Sequence, residues 1–311
     1  AGGTTETSQM VMADRKYAAR DTGPFPIRAV WAQSRSHSGY FVRADSPIKD
    51  IYDIKAGTKI AGMLTYLASI RIIEAFLAWI KVDPKDIDWV EGGSYKENVD
   101  SVMDGRCDVC FGIPTSPAVI AAENHPIGIR WLDMNSDKDP EGAVRFRAVD
   151  PLIDFGPMFN GVPSSIGHWA TTGTSLYTTH RDSHKILIYR TAKWLHENYE
   201  RIKERHSWCE WMNIDVLLEE LERTFIPVHE GLKLLLQETG HWTNAMEVRS
   251  EANAALIDRY VVAFQECKDM ADAKEMIMSP DNPEWIEMWE NYRRQQGIPE
   301  IQMYMNQAEG K

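Results

Sequence analysis

The sequence predicts an α/β fold that ends in a helical extension, and three observations carry that prediction. Ile51 to Val82, IYDIKAGTKIAGMLTYLASIRIIEAFLAWIKV, reads as one strand, one turn and one helix. The same alternation of short apolar run and helical period continues to Glu123, the mark of an open α/β sheet. From Asn244 onward the pattern changes to charged helices alone.

The strand of the first unit is Thr58 to Gly62. Its helix runs from Leu67 to Trp79, with Leu67, Ile70, Ile73, Phe76 and Leu77 at helical spacing. Met63 to Tyr66 joins them. A strand that turns straight into a helix leaves the first helical N–H groups facing the loop, and the helix dipole adds positive charge there. The turn is thus a candidate site for a carboxylate. The plain alternative is a βα connection in which Thr65 or Ser69 caps the helix.

The flanking elements follow from local signals. Ala1 to Ser8 is small and polar, and Gln9 to Ala19 reads as a short helix or turn. Thr22-Gly23-Pro24-Phe25-Pro26 is a rigid turn. Ile27 to Gln33 and Gly39 to Arg43 read as two strands, and Ile48 to Ile54 as a helical turn. Asp83-Pro84 stops the first helix. Ile87 to Val90 is a strand, and Ser94 or Tyr95 opens a helix to Asp104 that Gly105 ends. Strand Cys107 to Gly112 leads through Ile113-Pro114-Thr115 into helix Ser116 to Glu123. In open α/β sheets ligands sit beyond the carboxyl ends of the strands. Gly62 to Tyr66 and Gly112 to Thr115 both lie at such ends.

Ile129 to Leu132 is a further strand, Asp133 to Glu141 a loop, and Arg145 to Phe159 holds a short helix. Gly161 to Trp169 is a crossover, and Thr171 to Thr179 a strand. Asp182 or Ser183 caps a helix to about Arg205. Asn213 or Asp215 starts another to Arg223, and Leu232 to Glu238 a third. Met246 to Phe264 and Pro283 to Tyr292 are helical, with Ser279 to Pro283 between them.

Composition bounds the function. The 311 residues allow two domains, and the net charge of -12 offers no basic stripe for nucleic acid. No apolar run reaches the ~18 to 20 residues that span a bilayer. No signal peptide stands at the N-terminus, which fits a cytosolic chain or an exported one already processed. Cys107 and Cys110 have C-x-x-C spacing, but on a strand they point to opposite faces, so they read as inert and buried. His180 and His184 are four apart, yet they straddle a strand end and a helix cap. No P-loop, G-x-S-x-G or H-E-x-x-H motif is present. The chain reads as no enzyme, and no cofactor or metal is expected.

In their order these pieces resemble the TAXI class of solute-binding proteins of TRAP-type transporters. The resemblance spans residues 20 to 243. Thr22 to Phe25 is similar to the turn before the family's first inter-domain strand, and Phe41 to Gly62 to its crossover and first second-domain strand. Ile72 to Phe76 is similar to its helix, and Ser101 to Ala118 to its helix, strand and Gly-x-Pro turn. Ile188 to Asn198 and Ile226 to Gly240 resemble its closing helices. The sequence departs from the family by lacking the N-terminal portion, by its shorter turn at Gly62 to Tyr66, and by its tail.

The resemblance implies a two-lobed type II periplasmic-binding-protein-like fold. Residues 1–45 and 168–243 would form lobe I, 46–167 lobe II, and 244–311 a helical extension. It further implies a periplasmic or extracytoplasmic receptor that closes on a small organic anion, a carboxylate or an acidic amino acid, with a TRAP-type membrane transporter as partner. Thr65, Tyr66 and Ser69 would contribute from one turn and Gly112, Pro114 and Thr115 from the next. Trp169 would wall the ligand and Arg43 would pair its carboxylate. The C-terminal helices would contact the body, a second copy or another chain. The alternative reading is an assembly or interaction subunit that reuses the binding fold.

Overall fold

The computed structural model describes residues 4–14, 17–62, 67–150 and 152–301, without the side chains of 4–6 and 67–69. Helix α1 is Thr4–Met12. Ile27–Arg43 then forms a single strand of 17 residues, β1, where the sequence suggests two. The polar segment Ser34 to Ser38 holds no glycine or proline to turn the chain. Its Ser34 and His37 are buried, so the backbone stays extended through it.

The chain divides into two units, residues 1–34 with 174–311 and residues 35–173. The division falls inside β1 and inside the later strand Trp169–His180, where the sequence reading sets it in the neighbouring segments.

Residues 35–173 contain β2 (Lys59–Gly62), α2 (Leu67–Ile80), β3 (Asp88–Glu91), α3 (Tyr95–Met103), β4 (Val109–Gly112), α4 (Pro117–Glu123), β5 (Ile129–Leu132), α5 (Pro140–Val149) and β6 (Asp154–Pro157). Strand β7 starts at Trp169 and runs to His180. The sheet order is β3-β2-β4-β1-β7-β6, with β5 also on β1. β2 is parallel to β3 and β4, whereas β1 is antiparallel to β4, with Gly39 opposite Gly112. Helices cover both faces, as parallel strands require. One core sets Tyr40, Val42 and Ile60 against Phe76 and Trp79 of α2 and Phe146 of α5. The other sets Phe41, Ala61 and Cys110 against Val99 and Val102 of α3 and Val119 of α4.

The caps are local and legible. Ser94 accepts from Glu97 N–H, and Gly105 follows α3 with φ +75°. Ser116 caps α4 ahead of Pro117. Asp139 caps α5 ahead of Pro140, so that helix starts earlier than the sequence reading has it. The short strand β6, ending in Pro157, lies in the segment where the sequence reading holds only a helix. Cys107 and Cys110 are free and buried, and burial pushes both thiols up.

The other unit holds α6 (Lys185–Glu197), α7 (Tyr199–Ile202), α8 (Ile214–Leu221), α9 (Glu230–Glu238), α10 (Asn244–Asp272) and α11 (Pro283–Gln295). The expected long helix to Arg205 breaks at Asn198, whose Nδ2 donates to Trp194 O and closes the last turn of α6. Helices α6 and α9 cross at Gly231, where a Cβ would lie 2.4 Å from Lys185 O. Phe264 of α10 meets Trp285 and Trp289 of α11 edge-on. The two indoles donate to Ala18 O and Met12 O at 2.7 and 3.1 Å. The α/β class and the C-terminal helices are those the sequence predicts. Among the described residues no helix is long and apolar enough to cross a membrane.

Candidate functional site

The parallel strands of residues 35–173 end on one edge of the sheet. Gly62 closes β2 beside Glu91 of β3, and Gly92 N–H donates to Gly62 O. Ala61 is level with Cys110, so Gly112 closes β4 on the same edge. Gly62 and Gly112, the first residues of the two turns singled out in the sequence, therefore end their strands on the same edge. Thr65 and Tyr66 lie outside the described residues, as does the side chain of Ser69.

The turn after β4 is held by Tyr95 of α3. Its hydroxyl accepts from Ile113 N–H at 2.8 Å and lies 3.1 Å from Ser116 Oγ. Burial pushes the Tyr95 phenol up to about 12, so it stays neutral and can both donate and accept. Ser116 N–H donates to Ile113 O, and Val119 N–H to Ser116 Oγ. The N–H groups of Ile113, Ser116 and Val119 are thus engaged locally, and Gly112, Pro114 and Thr115 lie in a braced stretch of backbone.

Residues 158–162 pass over that wall. Val162 N–H donates to Pro114 O at 3.0 Å, and Met158 N–H to His168 O at 2.8 Å, so the segment is tied at both ends. Gly161 sits at φ +114°, and a Cβ there would lie 2.4 Å from Pro114 Cβ. Only glycine accepts both conditions. Phe159 lies edge-on to His37 of β1, ring centres 4.2 Å apart. His37 shares a strand face with Gly39 and Phe41 and is 3% exposed. Burial, helped by the Arg35 charge and opposed by the Thr171 backbone, pushes His37 down to about 4. It is therefore neutral at pH 7. On the other side of β1, Ser38 Oγ and Thr171 Oγ1 are 2.7 Å apart.

Two sequence candidates lie elsewhere. Arg43 is at the far end of β1, four residues beyond Gly39, and is bound to Asp45 at 2.7 Å and to Met103 O at 3.3 Å. β1 runs opposite to β4, which takes Arg43 away from the carboxyl edge rather than toward it. Trp169 packs against the core of Tyr40 and Phe155, on the sheet face opposite Phe41, and its N–H donates to Asp133. Sequence reading did not single out His37, Asn160, Phe159 or Tyr95. Phe159-Asn160-Gly161 carried the only local signal, a turn tripeptide before Pro163. His184 caps α6 through Nδ1. Among the described residues no three His, Cys, Asp or Glu side chains converge on a common point.

Comparison with known proteins gives one family. The model of the NMT1-like family matches residues 9–240, which leaves α10 and α11 outside the match. No curated protein matches the chain by sequence. Among solved structures it is similar to the substrate binding protein of an amino acid ABC transporter, at 13% identity and TM-score 0.32, over 65% of this chain and 75% of that one. It is also similar to an ABC transporter/periplasmic binding protein from Brucella ovis with glutathione bound, at 11% identity and TM-score 0.35, over 72% of this chain and 51% of that one. A third is the periplasmic aliphatic sulphonate binding protein SsuA from Escherichia coli, at 14% identity and TM-score 0.33, over 64% of this chain and 69% of that one. Similarity at this level assigns neither ligand nor partner to the chain.

Proposed function

The chain belongs to the NMT1-like family, and from that membership and the geometry of its strand ends we propose that it is an extracytoplasmic solute-binding receptor. Its solute is a small organic anion, a carboxylate or an acidic amino acid, delivered to a TRAP-type membrane transporter. The observation that carries this reading is the joint exit of β2 and β4 on one edge, with the turn after β4 braced by Tyr95 and roofed by residues 158–162. Open α/β sheets bind small molecules there.

Within this reading Gly112, Pro114 and Thr115 supply the wall. The carboxylate is taken by Thr65, Tyr66 and Ser69 of the β2–α2 turn, because Ile113 N–H, Ser116 N–H and Val119 N–H after β4 are already engaged. Arg43 and Trp169 are left out, since Asp45 and the core hold them. The TRAP-type partner and the extracytoplasmic location rest on the sequence resemblance. Nothing in this role requires turnover, so the reading is a binding protein rather than an enzyme.

Native mass spectrometry of the purified, undialysed protein tests it. The expected result is one small organic acid per chain, released when the protein is unfolded. A chain that carries no solute and binds none from a panel of mono- and dicarboxylates, yet holds a second polypeptide at fixed stoichiometry, would replace this reading with that of an assembly subunit.

A further inference from the structure

Residues 35–173 pair almost all of their buried polar side chains, and the exceptions share one location. Among the described residues of this unit, the buried side-chain atoms without a hydrogen bond of normal geometry are both ring nitrogens of His37, which the Thr171 backbone approaches only weakly, and the Oδ1 atoms of Asn98 and Asn160. Asn98 packs on Gly92, just past β3. His37 lies under Phe159, and Asn160 is the next residue of the segment that roofs the turn after β4. All three stand at the carboxyl edge of the parallel strands. Elsewhere in the unit buried polar groups are satisfied: Ser101 by Asn98 O, Ser165 by Val162 O, Thr171 by Ser38 O. An unmade buried hydrogen bond costs about 1–3 kcal/mol. Native folds keep such atoms where something else completes them.

We propose that His37 and Asn160 form a subsite for an uncharged hydrogen-bonding group of the solute, a primary amide or its equivalent, with Phe159 as the cover. This rests on the receptor reading above and assigns the end of the solute that is not its carboxylate. A neutral imidazole offers one N–H donor and one acceptor nitrogen, and the Asn160 carbonyl oxygen is a second acceptor. A primary amide matches that set: its oxygen accepts from the ring N–H, and its NH₂ donates to Asn160 Oδ1. A carboxylate there would face two acceptors and only one donor. Arg35 already has an interaction of its own.

The cover is side chain rather than backbone. Residues 158 and 162 are tied by Met158 N–H to His168 O and Val162 N–H to Pro114 O. Phe159 is 44% exposed, while the histidine beneath it is 3% exposed. In the proposed subsite, turning the Phe159 ring opens the side of the imidazole that it covers, while Asn160 stays between the two tied ends.

Succinamate and succinate separate the possibilities, because they differ only in one amide against one carboxylate. Titration calorimetry at pH 7.5 on the full chain is expected to show tighter binding of succinamate. His37→Phe should weaken succinamate about tenfold or more, the loss of one to two buried hydrogen bonds, and leave succinate within about twofold. His37→Gln, which keeps a donor and an acceptor, should restore most of the succinamate affinity. Asn160→Ala should repeat the selective loss and serves if the His37 variants unfold. Equal effects of His37→Phe and Asn160→Ala on both compounds, or no effect on succinamate, would overturn the subsite while leaving the receptor intact. Failure of the wild-type chain to bind either compound, with no solute retained on purification, would remove the receptor reading and the subsite with it.

Discussion

Two regions of this molecule finish their polar groups differently. At the α10–α11 helices, the large side chains end in partners: Trp285 donates to Ala18 O, Trp289 to Met12 O, and Tyr260 to Pro299 O. At the carboxyl edge of β2, β3 and β4, His37, Asn98 and Asn160 end in unpaired atoms. Both regions bury aromatic rings edge to face. The aromatic tips of α10 and α11 are paired and serve stability, whereas unpaired tips cost stability. Asn253 Oδ1 of α10 and the side-chain amide of Gln9 in α1 are unpaired as well, so the contrast lies in what covers the atoms at the strand edge.

The largest effect should come from breaking the paired region. Trp285 is fully buried and packs on Phe264. Trp285→Ala removes the ring and leaves Ala18 O without its donor. It should cost about 3–5 kcal/mol, read as a fall in the urea midpoint at constant slope. A loss below about 1 kcal/mol would mean that the helices after Asn244 are not part of the cooperative unit around α1.

The second effect should run the other way at neutral pH. His37→Phe removes two unpaired nitrogens and keeps a ring of similar size, so stability at pH 7 should be unchanged or higher. Its signature lies in acid. The folded His37 sits at about 4, against an ordinary value of 6.5. The unfolded chain therefore binds the proton first. The wild type should lose stability as pH falls below 6.5, by up to about 3 kcal/mol on reaching pH 4. Urea midpoints at pH 7, 5.5 and 4.5 should converge for the variant toward its own pH 7 value. Parallel acid profiles for the two proteins would mean that His37 is not held neutral by burial.

How much of this contrast could be read from the chain depends on the length scale of the signal. The strands β2 and β4, the helices that follow them and the β4–α4 connection were legible because glycine, helical period and caps are all local. So were Ser94, Gly105 and Ser116. β1 was not, because Ser34 to Ser38 looks like a break until the pairing partners on either side of it are known. α5 and β6 were hidden by charge and by Pro157, although Asp139-Pro140 is a helix start in plain view. Arg43, read as the guanidinium beside the first crossover, lies four residues beyond Gly39 on a strand antiparallel to β4, a direction that a sequence does not carry. His37 was invisible for the opposite reason: one histidine in a polar stretch says nothing until Phe159, far along the chain, is seen to cover it.

A third test sharpens the edge itself. Gly161→Ala forces a Cβ into Pro114 at 2.4 Å and holds an L residue at φ +114°. The segment must move or strain, and either should cost about 1–3 kcal/mol. If the roof of residues 158–162 positions Asn160, solute affinity should fall more than stability does. A thermal shift with unchanged succinamate affinity would separate the roof from the subsite.

The smallest effect concerns His168, which lies near this edge but is paired. Its Nδ1 is 2.9 Å from Asp133 Oδ1, and that bond, more than the burial that opposes it, raises the imidazole above its ordinary 6.5. The sign is opposite to that of His37. The folded state holds the proton longer than the unfolded chain, so the stabilisation is complete below 6.5 and disappears as pH rises through the folded value. The His168 and Asp133 side chains are 37% and 45% exposed, which screens the pair to within about 1 kcal/mol. Asp133 also accepts from Trp169 N–H, so it keeps a partner when the histidine is gone. His168→Gln should thus flatten the stability profile above pH 6.5; because His168 also holds the Asp133 carboxyl below its ordinary value, a small loss in acid should accompany it. The two histidines would then titrate stability from opposite sides of neutrality, the paired one losing its contribution in base and the unpaired one in acid. A variant whose profile above pH 6.5 is as steep as the wild type's would mean that the Asp133 bond does not raise His168, and the distinction between paired and unpaired histidines would fall with it.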